Sequence, residues 1–117
     1  GGAWLLPRVV GFSRACELLF TGDVIDAKQA CEWGLVSRVV PADQLLPEAT
    51  ALAERIAKQP PSALRIAKTL LRQGQHASYQ SVMEMSAAAQ ALMHHTKDHE
   101  EGVAAILEKR TPTFTGK

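Results

Sequence analysis

The densest run of chemically capable side chains is His94-His95-Thr96-Lys97-Asp98-His99-Glu100-Glu101. His95 and His99 stand four residues apart, and on one helix that spacing puts two imidazoles on one face, as zinc ligands require. A metalloprotease helix carries Glu directly after its first His, whereas Thr96 follows His95 here. Asp98 with Glu101 three residues later also has the form of a capping box, which places a helix start between the imidazoles. The run therefore reads as a polar loop between helices, and no metal site is expected. Nucleophilic catalysis has no local support either. There is no Gly-x-Ser-x-Gly elbow, and Cys16 and Cys31 fall in helical apolar patterns, where buried packing thiols are the plain reading. Glu17 could move a proton, although an exposed or ion-paired Glu is the default for such a position. Gly1-Gly2 could lend N–H groups to an anion or simply form a turn. Lys109 and Arg110, with Lys117, could meet a phosphate or merely complement a helix dipole.

The elements that would carry these groups are mostly helical. Trp4-Leu5-Leu6-Pro7-Arg8 forms a short segment ending by Gly11. Ser13 caps a helix through about Phe20, which Thr21-Gly22 stops. Asp26 and Gln29 form a capping box for a short helix ending at Gly34. Leu35-Val36-Ser37-Arg38-Val39-Val40 is rich in β-branched residues and is the one predicted strand, closed by Pro41. A lone strand cannot pair its own backbone, so it calls for a sheet outside the segment.

From Asp43 a helix carries Leu45, Ala49, Leu52 and Ile56 on one stripe, with Pro47 making its first turn irregular. Pro60-Pro61 breaks it. Ser62 then caps a helix closed by Gly74, and Ser78 opens a long helix to about His94. One face of it carries Tyr79, Val82, Met83, Ser86, Ala89 and Met93. The Asp98/Glu101 box starts the last helix, which Pro112 ends. The fold class expected is mostly α with one short strand, divided as residues 1–40 and 41–117. No internal repeat is present.

The 117 residues suffice for one ordinary domain. With 46% hydrophobic and 21% charged residues the chain is globular in composition. Its 13 basic and 12 acidic side chains give a formal charge of +1, which lacks the basic excess of a nucleic-acid or membrane-surface binder. No apolar run approaches the roughly 20 residues that span a bilayer, and residues 1–10 have no signal-peptide pattern. Two cysteines 15 residues apart match neither a disulfide framework nor a zinc pattern, which suits a reducing cytoplasm.

The order of signals adds a further reading. Gly1-Gly2, Leu6-Pro7-Arg8, Gly11, Ala15, Thr21-Gly22-Asp23, Ala30, Gly34-Leu35-Val36, Val39-Val40, Pro61-x-Ala63 and Lys68 come in sequence. They are followed by Asp98-x-x-Glu101-Gly102-x-x-Ala105-x-x-Glu108-Lys109-Arg110-x-Pro112-x-Phe114-x-Gly116-Lys117. Across essentially the whole chain this resembles the C-terminal part of the crotonase superfamily, the enoyl-CoA hydratase/isomerase family. The resemblance implies a crotonase-like α/β spiral whose N-terminal half is absent. Residues 1–40 would end the core, and residues 41–117 would form the helical region that packs subunits into trimers.

It further implies an acyl-CoA thioester as substrate and no separate cofactor. Both oxyanion N–H donors and the acid/base carboxylates would lie in the absent half, so no catalytic residue is expected in this chain. The last helix would approach coenzyme A, with Lys109 at the nucleotide phosphate. Ile106 would meet the adenine, where the family commonly has Phe. The alternative is a non-catalytic helical oligomerisation module.

Overall fold

The computed structural model describes residues 1–117 and is built from seven α-helices without a β-strand. They are α1 (Gly2–Val10), α2 (Phe12–Thr21), α3 (Ala27–Glu32), α4 (Leu45–Ala57), α5 (Pro61–Gln73), α6 (Tyr79–His94) and α7 (Lys97–Glu108). The chain divides into two units, Gly1–Pro47 and Glu48–Lys117.

In the first unit α1 packs on α2. Val10 and Ala15 are buried, and Cys16 is half-buried, less enclosed than its apolar pattern suggests. Gly11 joins the two helices and serves as the N-cap of α2, so Ser13 lies inside α2 and makes no cap. Asp26 does cap α3, accepting from the Gln29 N–H at 2.7 Å. The Gln29 side chain turns to Glu32 at 3.1 Å, which leaves the box half made.

The predicted strand 35–40 is absent, and the fold class is corrected to all-α. The end of α3 shows why. The Leu35 N–H donates to the Ala30 carbonyl at 2.8 Å and the Gly34 N–H to the Cys31 carbonyl at 3.0 Å, a Schellman termination with Gly34 at φ +76°. The start of the β-branched run is thereby committed to closing a helix. No second strand exists to pair with the remainder, and Val36 and Val39 stay exposed.

In the second unit, a 3-10 turn at Ala42–Gln44 leads into α4 from just outside it, and Pro47 falls in the first turn of α4, where no intrahelical N–H is required. Helices α5, α6 and α7 pack in series. Pro60 and Pro61 begin α5, so Ser62 is an interior residue of its first turn and not a cap. Ser78 caps α6 as expected, accepting from the Ser81 N–H at 3.1 Å. Tyr79 and Met83 are nevertheless exposed on α6, and Val82, Ser86, Ala89 and Met93 are only half-buried. Thr96 caps α7 through the His99 N–H at 3.2 Å, displacing Asp98 from that role.

The buried apolar residues are Val10, Ala15, Ala30 and Ala105, and no large side chain is fully enclosed. Phe12, Leu19 and Phe20 on α2, and Leu71 on α5, present apolar surface to solvent. No helix is long and apolar enough to cross a membrane.

Candidate functional site

A groove of about 770 Å³ lies within the second unit, a size usual for small-molecule sites. The link after α4 contributes Lys58 and Pro60, α6 contributes Met93, α7 contributes Val103 and Ile106, and the tail contributes Phe114. The lining is chiefly apolar, with His99 and Arg110 among its polar members.

Helix α7 and the tail are tied together by two carboxylates. Asp98, 3% exposed, is the one buried charged residue. Its carboxylate accepts from the Thr115 N–H at 2.7 Å and the Gly116 N–H at 2.8 Å, while its own N–H donates to the Lys117 carbonyl at 3.2 Å. Position in the first turn of α7 adds the favourable helix dipole. The Ser62 hydroxyl donates to the Gly116 carbonyl at 2.9 Å, so the side chain predicted to cap α5 holds the tail. Gly116 has φ +78°, which favours glycine at this turn.

One turn along α7, Glu101 receives a bidentate pair from the Arg110 guanidinium at 2.6 and 2.8 Å and the Thr113 N–H at 2.8 Å. The Arg110 hydrogen bonds, then that of Thr113, hold the Glu101 carboxyl down at about 2. Arg110 also donates to Glu108 at 2.6 Å, and the two carboxylates raise its affinity for its proton. Arg110 is thus committed to protein partners.

Of the two predicted ligand contacts, Ile106 lines the groove and is 78% exposed. Lys109 is exposed and is not among the lining residues. It caps α7 at φ 54°, ψ 40°, the one non-glycine residue with positive φ. Its neighbours are fixed: the Arg110 N–H donates to the Ala105 carbonyl at 3.0 Å. His94 and His99 stack at 4.6 Å, and His95 lies at the end of α6, outside α7. No group of three or more His, Cys, Asp or Glu is placed to hold a metal. Cys16 and Cys31 are free, Glu17 is exposed on α2, and Gly1-Gly2 form the entry to α1. Sequence reasoning missed the joint role of Asp98 and Glu101. The signal available was an acidic pair opening a helix, with a Thr- and Gly-bearing tail to receive it.

The enoyl-CoA hydratase/isomerase family profile matches residues 1–117, the full chain. The chain belongs to the enoyl-CoA hydratase/isomerase family. Among its relatives, the 1,2-epoxyphenylacetyl-CoA isomerase of Escherichia coli is 38% identical over 117 residues, all of this chain and 45% of that protein. The crotonyl-CoA hydratase of Syntrophomonas wolfei is 40% identical over the same share of both. The crystal structure of an enoyl-CoA hydratase from Bacillus anthracis superposes with a TM-score of 0.95 at 42% identity, covering 100% of this chain and 45% of that one. The chain thus spans somewhat under half the length of the family members it matches.

Proposed function

We propose that these residues are the C-terminal part of an enoyl-CoA hydratase or isomerase that acts on acyl-CoA thioesters. The match of the family profile to all 117 residues supports the family in this reading, and the resemblance of the Asp98 to Lys117 motif to the family's ending supports the placement. The chemistry needs two N–H donors aimed at the thioester oxygen, so that the enolate is stabilised as it forms, and a carboxylate to move the proton. Both sets lie outside residues 1–117 in this reading. Residues 1–40 would close the catalytic core and residues 41–117 would assemble subunits, trimer-based as the family resemblance implies. The exposed apolar side chains of α2 and α5 support a chain that packs against more protein. That same surface favours a second reading, a helical assembly module without catalysis. The free thiols fit a cytoplasmic setting.

Ile106 and Lys109 would contact the nucleotide end of coenzyme A. Ile106 lines the groove, while the left-handed turn at Lys109 is the C-terminal stop of α7, so the Lys109 assignment rests on the family resemblance. A protein joining this chain to the family's N-terminal half should hydrate or isomerise crotonyl-CoA, whereas residues 1–117 alone should not. In the active protein Lys109→Ala should raise KM for the thioester with kcat nearly unchanged, the mark of lost ground-state binding. Turnover by residues 1–117 alone, abolished by substitutions within them, would overturn the catalytic assignment.

A further inference from the structure

The Asp98-x-x-Glu101 pair is the part of the final motif that neither chemistry nor capping absorbs. Asp98 could have capped α7, yet Thr96 does so, and the Asp98 carboxylate is buried against the tail. Burying a carboxylate is unfavourable unless its lone pairs are filled, and here two backbone N–H groups at 2.7 and 2.8 Å fill them. Glu101 repeats the arrangement one turn further on, with Thr113 and Arg110. The stretch they hold, Thr111 to Phe114, forms one wall of the groove that also contains Ile106.

We propose that Asp98 is a positioning residue for coenzyme A: by pinning Thr115 and Gly116 it holds the far end of the Thr111 to Phe114 stretch and so fixes the tail as a wall of the groove. This rests on the reading of the groove's edge as the nucleotide end of a CoA site. A tail released from Asp98 must be ordered again each time ligand binds. Reordering a few side chains and their backbone costs affinity, about three- to tenfold for this short stretch.

The test is calorimetric titration of CoA into the active protein, comparing the unmodified chain, Asp98→Asn, a deletion of residues 115–117, and the two combined. Each single change should weaken CoA binding about three- to tenfold at unchanged stoichiometry. The combination should bind no more weakly than either alone, because both remove the same linkage. A merely destabilised protein would behave otherwise, with reduced stoichiometry at unchanged affinity. The deletion leaves Asp98 in place, so the comparison holds even where Asp98→Asn folds poorly. Thr115→Pro removes one of the two donors and should fall between the deletion and the unmodified chain. CoA binding by Asp98→Asn and by the deletion at unmodified affinity would overturn the positioning role alone, as would fully additive losses. Failure of the unmodified protein to bind CoA would overturn the underlying site reading as well.

Discussion

Replacing Lys109 by Gly should make the protein more stable and worse at binding. Lys109 sits at φ 54°, ψ 40°, where the Cβ of an L-residue crowds its own carbonyl at a cost of roughly 1–2 kcal/mol. Glycine has no Cβ, but it loses about 0.5–1 kcal/mol more backbone entropy on folding. The difference leaves a gain of about 0.5–1 kcal/mol, or a melting temperature higher by about 3 °C for a chain of this size. Lys109→Ala keeps the Cβ and so keeps the strain, which makes it the control. Thermal unfolding of the three proteins at equal concentration, followed by CoA titration, reads both effects. The glycine variant should melt highest and bind CoA as weakly as the alanine variant. A glycine variant no more stable than the alanine variant would show that the left-handed turn carries no strain worth relieving.

The Glu101–Arg110 pair makes a pH-dependent contribution. Because the folded Glu101 carboxyl sits near 2, below its ordinary 4.5, its stabilisation is complete above about pH 4.5 and is lost as pH falls toward 2. Glu101→Gln should therefore lower the urea midpoint at pH 7 and leave it unchanged near pH 2, and a gap that persists at pH 2 would contradict the ion-pair account. Gly34→Ala should destabilise by about 1 kcal/mol through backbone strain alone, because at φ +76° the added methyl meets no atom within 4 Å. Urea unfolding followed by tryptophan fluorescence measures it, and an unchanged midpoint would mean that the Schellman turn relaxes at no cost.

Local signals were legible where one residue had one available partner. Asp26 and Ser78 cap α3 and α6 because the N–H three residues on is the nearest donor. Ser62 and Asp98 carry the same pattern but serve Gly116 and Thr115, which are distant in sequence and adjacent only after folding. With Thr96 two residues before Asp98, two side chains could cap one helix, and the tail decides between them. The strand at 35–40 failed for a related reason. β-propensity describes side chains that suit a pleated surface, and this chain offers no neighbouring strand. Ile106 could be placed from the family motif, but the groove it lines could not, since residues 57–60 and 111–114 meet it through the packing of α5, α6 and α7.

The near absence of enclosed large side chains has a calorimetric consequence. A chain of 117 residues with an ordinary core unfolds with a heat-capacity rise of about 1.4–1.8 kcal/mol/K, most of it from apolar surface newly wetted. Here Val10, Ala15, Ala30 and Ala105 are the buried apolar residues, and side chains such as Phe20 and Leu71 already meet water in the folded chain. By itself the chain should melt broadly, with a small heat-capacity step and a shallow dependence on urea. Sharp, cooperative melting should arise only where other protein surface dries those side chains, so the steepness of the transition reports how much of α2 and α5 is covered.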